Sequence, residues 1–313
     1  MKAPCTTGVQ TAQIAIDWLQ WTYPAAVPAE DIRKALSGRG EWSALPRGMY
    51  GYRQALRRGD LWLLFDGREG MGVHVQASGK GCSQLAIEGT VNDWPAFLGS
   101  LLGDQVRFTR VDVALDDHRG VLSLDKIRRC VQRGHFVSRW RKTTELENRE
   151  RIQAGSEVAG RSVVFGSKHS DGRIHIYDKA LEQATADHWV RVELQCRGDR
   201  AQALARVVSE QGAGVIPGVI RGYLTFRKPG KHRQRDRWPT LPWWEEFLGD
   251  CEKVSLRVAS PSGDGEDLKW LWLTAAPALA RLVDCYGDGI IPKLVEHGRE
   301  REAARGSRRR RTA

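Results

Sequence analysis

Short stretches in which apolar and polar residues alternate recur along the first two-thirds of the chain, separated by Gly, Asn and Asp. Because successive side chains of a strand point to opposite faces, this alternation predicts half-buried β-strands. The predicted strands are "QIAIDWLQWTY" (13–23), a hairpin turning near Gly59-Asp60, "GVHVQASG", "VRFTRVDVALDD" (106–117), a hairpin turning at Asp171-Gly172, and "HWVRVELQCRG". An Asp-Gly pair between two alternating runs is a strong hairpin signal.

Helical segments follow these strands, and their order repeats. Proline and acids at 28–31 suit a helix start, and Asn92 or Asp93 caps the helix in "NDWPAFLGSLLG". A third helix is capped by Ser123, and a fourth covers 199–212. The order strand–helix–hairpin–strand–helix therefore occurs twice. This predicts an α+β fold of two similar βαβββ-like sheet units with helices on one face.

The domain organisation follows from this repeat and from a change of composition after it. The segment 135–160 is rich in charge and is predicted to be a mobile loop. The predicted domains are an N-terminal α+β unit for scaffolding and DNA binding (1–104), a catalytic α+β unit (105–227), a basic, Trp-rich and mainly helical region (228–298), and a disordered basic tail (299–313).

The charge balance indicates the kind of partner. The chain has 313 residues, of which 41% are apolar, so it can bury a sizeable core. It carries 49 Lys and Arg against 38 Asp and Glu, a formal net charge of +11. This excess can mean solubility alone, but it favours a polyanionic partner, with nucleic acid ahead of a membrane surface.

The cysteines and the N-terminus indicate the compartment. Six cysteines are scattered without a CxxC pair, which argues against both a zinc site and a disulfide framework. The N-terminal stretch has no apolar core of a signal peptide, and no run approaches 18 apolar residues. We therefore expect a cytoplasmic protein with reduced thiols and no membrane partner.

The polar faces of three predicted strands in the second unit carry groups with a definite chemistry. With the apolar residues facing the core, the opposite face holds Arg110, Asp112, Asp116, Arg173, His175, Tyr177, Lys179, Arg191, Glu193 and Gln195. A solvated sheet face with cross-strand salt bridges would show the same alternation. However, carboxylates from separate strands can hold Mg²⁺ or Mn²⁺, which polarises a phosphodiester. A tyrosine hydroxyl can then attack phosphorus, and Lys179 or Arg173 would stabilise the added charge or lower the phenol pKa.

The order of several sequence blocks resembles a known family. "FTRVDVALDD", "VVFGSKHSDGRIHIYDKALEQ" and "WVRVELQCR", preceded by "IDWLQWTY" and "VQASGKGC", are similar to successive blocks of the replication initiation factor family. This family belongs to rolling-circle plasmids, filamentous phages and some integrative elements. The resemblance runs from about residue 13 to 212.

The resemblance implies a metal-dependent DNA strand transferase that nicks one strand at an origin and stays joined to its 5′ phosphate. Tyr177 matches the nucleophile, and Asp112 and Glu193, with Asp116 as a further candidate, match acidic positions expected to bind the metal. His175 stands where Arg is more common, and is either a phosphate or metal contact or a solvent-facing residue. The partners expected are origin DNA and a host helicase and polymerase, with a homodimer left open.

A basic segment after the second unit is the main candidate for contact with the DNA backbone. Tryptophans there could stack on unpaired bases, although such residues are more often part of a core. The candidate DNA-binding residues are Arg110, Arg191, Lys228, Lys231, Arg233, Arg235, Arg237 and Trp238. Two alternatives to the replication initiator stay open: a conjugative relaxase with the same chemistry, and a non-catalytic DNA-binding regulator.

Overall fold

The computed structural model describes residues 13–152, 155–257, 271 and 275–311. The chain divides into two compact bodies, Met1–Val258 and Ala259–Ala313. The strands are β1 (Gln13–Tyr23), β2 (Ser43–Ala44), β3 (Gln54–Arg58), β4 (Leu61–Phe65), β5 (Val73–Ala77), β6 (Arg107–Asp117), β7 (Phe136–Ser138), β8 (Thr143–Ile152), β9 (Gly155–Phe165), β10 (Gly172–Asp178), β11 (Val190–Arg197) and β12 (Leu224–Phe226).

The helices lie between and after these strands. They are α1 (Ala29–Ala35), α2 (Gly79–Ile87), α3 (Trp94–Gly103), α4 (Leu124–Gln132), α5 (Lys179–Glu182), α6 (Asp199–Gln211), α7 (Ile216–Tyr223), α8 (Pro242–Leu248), α9 (Ala276–Tyr286) and α10 (Ile290–Arg311). Two 3₁₀ turns cover Ala213–Val215 and Arg235–Arg237. In the described part of the chain, no helix has the length and apolar character needed to cross a membrane.

Ten strands form one antiparallel sheet in the order β2-β3-β4-β5-β1-β6-β11-β10-β9-β8. Read outward from the central β1–β6 pair, the first half runs β1-β5-β4-β3-β2 and the second half runs β6-β11-β10-β9-β8. The two halves therefore repeat one strand order about the middle of the sheet. The mixed α+β fold and the repeated order confirm the fold predicted from the sequence, with one more strand in each half.

The main core lies on the sheet face that the helices cover. Helix α2 packs on β1, helix α6 packs on β6 and β11, and α3 packs on α6. Leu19, Trp21, Phe108, Val113 and Leu194 have no exposed surface in this layer. Each buried side chain of this size contributes about 1.5–3 kcal/mol relative to an exposed one. This layer fixes the register of the central strands, and hence the positions of the polar side chains on their other face.

Two local features differ from the sequence prediction. The stretch 135–160 is not a mobile loop, because β7, β8 and the start of β9 occupy it. The hairpin before β10 turns through the six residues 166–171 and not through a two-residue Asp171-Gly172 turn. Charged residues on both β8 and β9 pair across the ladder or with α4, for example Arg161 with Glu147, and this polarity hid the strands.

The second body contains α9 and α10 in its described part. Gly287 ends α9 in a left-handed conformation, with φ of +74°. Helix α10 continues to Arg311, within the stretch 299–313 for which the sequence predicts a disordered tail. Ala, Glu and Arg, which dominate this stretch, are strong helix formers.

Candidate active site

The polar face of the second half of the sheet is buried. Asp112 is fully buried, and Glu193 and Tyr177 are 5% and 8% exposed. Asp116, Arg191 and Gln195 are also buried. A solvated face with surface salt bridges is therefore the wrong description, because buried charges must be paired or hydrogen-bonded to be tolerated.

Strand register brings the predicted residues into adjacent rows. Tyr177 on β10 lies opposite Arg191 on β11, which lies opposite Asp116 on β6. His175 lies opposite Glu193 in the next row of the same side. Gln195, two residues further along β11, lies opposite both Arg173 and Asp112. The alternation read from the sequence thus placed these side chains correctly on one face.

Arg191 joins two carboxylates from different strands. Its Nε and one terminal nitrogen donate to the two oxygens of Asp116, both at 2.7 Å, and its other terminal nitrogen donates to Asp17. The side chain of Arg191 is 9% exposed. Every nitrogen of this buried guanidinium already donates to a carboxylate, which argues against the predicted role of Arg191 as a DNA contact. The same bond occupies both oxygens of Asp116, the further candidate for a metal ligand.

Asp17 is a site residue that sequence reasoning missed. The pairing of β1 with β6 shifts register between Ile16 and Trp18, so Asp17 is the extra residue of a β-bulge. Ile16 before the bulge and Leu19 after it are both buried in the core, so Asp17 lies on the opposite, polar face of the sheet. Asp17 thereby joins the carboxylates of the second half, although it belongs to the first. The only signal in the sequence was an acid inside the "IDW" block of a strand.

Asp112 lies in a setting that favours its protonated form. Burial is the largest cause, and the nearby charges of Glu193 and Asp17 act in the same direction. Arg110 opposes them with a two-pronged bond to the Asp112 carboxylate, whose N–O distances are 2.5–3.1 Å. The net effect raises the pKa of Asp112 to about 7. The Arg110 guanidinium also lies 4.1 Å from the ring centroid of Trp18.

Tyr177 is held between His175 and Lys179. The rings of His175 and Tyr177 stack with centroids 4.5 Å apart, and Lys179 Nζ lies 5.6 Å from the tyrosine ring centroid. Burial raises the pKa of Tyr177, and Glu193 and Asp17 add to this against the opposing Arg191. The pKa of Tyr177 is therefore raised and not lowered, which leaves stabilisation of the added charge as the role predicted for Lys179 or Arg173.

The remaining basic groups near Tyr177 have partners of their own. Lys179 bonds Glu182 at 2.7 Å. Arg173 donates to the Gln195 side chain, whose amide in turn donates to Glu193 at 2.5 Å. Arg173 therefore positions Glu193 through Gln195. Burial, aided by Arg173, lowers the pKa of His175 to about 4, so this imidazole is neutral near pH 7.

The donor chemistry of this face suits a hard divalent cation. Asp17, Asp112 and Glu193 supply carboxylate oxygens, which Mg²⁺ and Mn²⁺ prefer. The pKa values of Asp17 and Asp112 are both raised, first by burial and then by neighbouring carboxylates, and a cation would relieve this repulsion. Among the described residues, however, no three His, Cys, Asp or Glu side chains already stand close enough to form a metal cluster.

The predicted DNA-binding segment lies at the surface of the first body. Lys228, Lys231, Arg233, Arg235 and Arg237 are exposed. Trp238 is half-buried, and its indole donates to the His232 carbonyl at 2.6 Å. Trp244 is fully buried against Phe226, so it belongs to the core.

Two of the described thiols, Cys82 and Cys196, are buried in the core. Among the described residues, Cys82, Cys130, Cys196, Cys251 and Cys285 form no disulfide with one another. Burial raises the pKa of Cys82 and Cys196, which keeps both protonated. A neutral, buried thiol behaves as a small hydrophobic side chain. Cys5 lies outside the described residues.

An antiparallel sheet with a buried tyrosine beside clustered carboxylates is consistent with the family resemblance seen in the sequence. Residues 106–289 match the family model of the replication initiation factor, and residues 13–100 match that of the rolling circle replication initiation protein N-terminal domain. The chain belongs to the replication initiation factor family. Its assignment among rolling-circle initiators and relaxases is thereby confirmed.

Two similar proteins support this membership. A Bacillus subtilis (strain 168) homologue named DNA relaxase NicK is 27% identical over 252 residues, which cover 76% of this chain and 71% of that protein. The solved rolling circle replication initiator protein from Geobacillus stearothermophilus superposes with a TM-score of 0.70 at 27% identity. That likeness covers 79% of this chain and 99% of the other.

Proposed function

We propose that this chain nicks and rejoins one DNA strand at a replication origin through a covalent link between Tyr177 and a 5′ phosphate. The observation that carries the proposal is the position of Tyr177: it is held on a buried sheet face with Glu193 and Asp17 near enough to raise its pKa. Membership of an initiator family makes phosphodiester transfer the matching chemistry.

The step balances as a transesterification. The Tyr177 oxygen attacks phosphorus, the bond from phosphorus to the 3′ oxygen breaks, and the leaving oxygen takes a proton to give a free 3′-OH. A carboxylate near the phenol, Asp17 or Glu193, accepts the phenol proton. The proton needs a base because burial raises the phenol pKa. The phosphotyrosyl link conserves the energy of the broken bond, so the reverse attack rejoins the strand without ATP.

The chain's own residues divide the remaining roles. Arg191 and Asp116 hold β6 and β11 together beside Tyr177. Lys179 stands ready to stabilise charge on the phosphate, while His175 fixes the tyrosine ring by stacking. A divalent ion, Mg²⁺ or Mn²⁺, when held by Asp17, Asp112 and Glu193, would neutralise their mutual repulsion and polarise a phosphate oxygen.

The test is a search for the covalent adduct. The purified protein is incubated with Mn²⁺ and a pool of single-stranded oligonucleotides that tile the DNA around its own gene, labelled at the 3′ end. A 3′ label should migrate with the protein in a denaturing gel, and a 5′ label should appear on a shorter free strand. Tyr177→Phe and added EDTA should each abolish the adduct.

A matched control is Tyr286→Phe, because Tyr286 is exposed in the second body. An adduct that survives Tyr177→Phe would refute the assignment of the nucleophile. Tight binding by the unaltered protein with no adduct on any oligonucleotide would favour the non-catalytic regulator.

A conjugative relaxase is the second candidate, because the Bacillus subtilis homologue carries the name DNA relaxase. The chemistry is the same, so the nicked sequence decides between them: an origin of replication or an origin of transfer. In either case we expect a host helicase and polymerase to use the nicked strand. Whether the protein acts as a homodimer is a separate question.

A further inference from the structure

A second polar cluster lies on the same sheet face, in the first half of the sheet. It lines a pocket of about 450 Å³ formed by Gln20, Tyr50, Tyr52, His74, Arg110 and Arg197. The pocket and the candidate active site are continuous, because Arg110 lines the pocket and also bonds Asp112.

Flat aromatic rings form one wall of this pocket. Tyr52 stacks on His74 with ring centroids 6.1 Å apart, and Tyr50 meets His74 edge-on at 6.3 Å. Burial lowers the pKa of His74 to about 4, and Thr22 contacts its Nδ1 at 2.8 Å, so the imidazole is a neutral, fixed surface at physiological pH.

Tyr50 stands out because it is both exposed and strained. Tyr50 is 65% exposed, although its ring is large and mainly apolar. Its backbone is left-handed, with φ of +55°, a conformation that is unusual for a bulky residue. Strained positions concentrate at ligand sites, where a side chain is retained for what it binds.

The opposite wall offers hydrogen bonds and positive charge. The Gln20 amide donates to Gln76 at 2.5 Å, which leaves its carbonyl oxygen and a second N–H for a ligand. Arg197 is exposed and is tethered to the Lys168 carbonyl at 3.1 Å. A flat aromatic wall, an amide and a cation match a nucleobase with its phosphate, because bases stack on aromatics and glutamine can pair with a base edge.

The repeat within the sheet shows that this cluster lacks ionic groups that the candidate active site has at equivalent positions. Strand β5 occupies in the first half the place of β11 in the second. Strand β5 pairs with β1 as β11 pairs with β6. When the two halves are matched in this way, His74 and Gln76 take the places of Arg191 and Glu193. Neutral groups thus replace the ionic groups of the active site at equivalent positions.

We infer that this pocket holds an unpaired base of the DNA strand that Tyr177 cuts, a few nucleotides from the scissile phosphate. The inference rests on the proposed function. Tyr177 is in the same row of the sheet as Asp116, two strands away on β6, and Arg110 lies six residues before Asp116 on that strand. Strand geometry makes the separation of Arg110 from Tyr177 about 20 Å. A strand lying along the face would span both sites.

The test measures binding without chemistry. Full-length Tyr177→Phe protein in EDTA is titrated with the fluorescein-labelled oligonucleotide of the tiled pool that it binds most tightly, and with the duplex of the same sequence. Adding Tyr50→Gly should weaken binding of the single strand by about 5- to 150-fold, the range that corresponds to loss of one stacked base. Duplex binding should stay the same.

Two controls separate lost stacking from lost folding. Glycine relieves the left-handed strain at position 50, so Tyr50→Gly should not lower the free energy of unfolding. Tyr286→Ala removes another exposed tyrosine, 72% exposed, and should bind the single strand like the parent.

Abasic substitutions then locate the base. Removing one particular base should weaken binding by the parent and have no further effect on Tyr50→Gly. If Tyr50→Gly and Gln20→Ala both bind the single strand like the parent, the pocket is not a base site. If Tyr50→Gly weakens binding although the unaltered protein forms no adduct, the base site is supported and the proposed catalytic function fails.

Discussion

At the scale of single residues, Asp112 shows how burial sets the chemistry of the site. Its carboxyl is fully buried, and Arg110 offsets only part of the cost of ionising it beside Glu193 and Asp17. The protonated and ionised forms are therefore close in free energy near neutral pH, with a pKa of about 7. A group balanced in this way can exchange a proton for a cation at small cost.

Asp112 should make stability depend on pH. The pKa is raised in the folded state from an ordinary value of 3.8, so the folded protein binds the extra proton between about pH 4 and pH 7. The free energy of unfolding should therefore be unaffected by Asp112 below pH 4. It should fall as the pH rises from 4 to 7, by up to about 1.4 kcal/mol per pH unit. Asp112→Asn should remove this loss.

The measurement is urea unfolding of both proteins across this range. His74 and His175, whose lowered pKa values give the opposite slope, are present in both proteins and cancel in the comparison. Mn²⁺ should make the loss in the parent smaller and end it at a lower pH, because the ion binds the ionised carboxylates of the folded state and so lowers the folded-state pKa of Asp112. Parallel stability curves would contradict the raised pKa.

The residue scale also shows how far alternation predicts a site. Alternation placed Asp112, Tyr177 and Glu193 on one face, because the strand period is two wherever the ladder is regular. It missed Asp17 as a site residue, because Asp17 belongs to the first half of the sheet and reaches the site only through the pairing of β1 with β6. It also could not show that Arg191 and Asp116 are paired, because burial and partners depend on neighbouring strands that are distant in sequence.

At the scale of elements, the ends of the helices can be tested separately from the sheet. The Asp93 side chain accepts a hydrogen bond from the Ala96 N–H at 2.9 Å at the start of α3. Ser123 occupies the same position before α4 but makes no such bond. The two helices therefore form a matched pair of capped and uncapped ends.

Asp93→Ala should destabilise the protein by about 1 kcal/mol, because it leaves an N–H of the first turn without a partner. Ser123→Ala should change stability by much less. Urea denaturation of both variants at pH 7 checks the difference. Equal losses would mean that the side-chain bond to Ala96 contributes nothing measurable.

The elements predicted from the sequence were those with apolar periodicity. Strands β1, β6, β10 and β11 match the prediction closely, because each has an apolar row against the helices. The charged strand β8 was read as a loop, since cross-strand ion pairs and not apolar burial hold it to β9. The continuity of the sheet through β1 and β6 was not predictable either, because no local pattern specifies which strands pair.

At the scale of the whole molecule, the net charge of +11 indicates a polyanionic partner but does not locate it. Several of the charged side chains form ion pairs within the protein, as in the buried bond of Arg58 to Glu88 at 2.6 Å. The basic segment of Lys228, Lys231 and Arg233 is exposed. We therefore expect phosphate contacts to concentrate there.

Replacing Lys228, Lys231 and Arg233 together by Ala should reduce the salt dependence of DNA binding. Each lost phosphate contact on a single strand lowers the slope of log K against log salt by about 0.7, so the triple variant should lose up to about 2. Fluorescence anisotropy with the Tyr177→Phe protein in EDTA measures the slope. The matched control replaces Lys34, Arg39 and Arg281, which are exposed elsewhere, and removes the same charge. If both triple variants lose the same slope, the net charge and not this segment governs binding; a loss confined to the first variant places the DNA backbone on this segment.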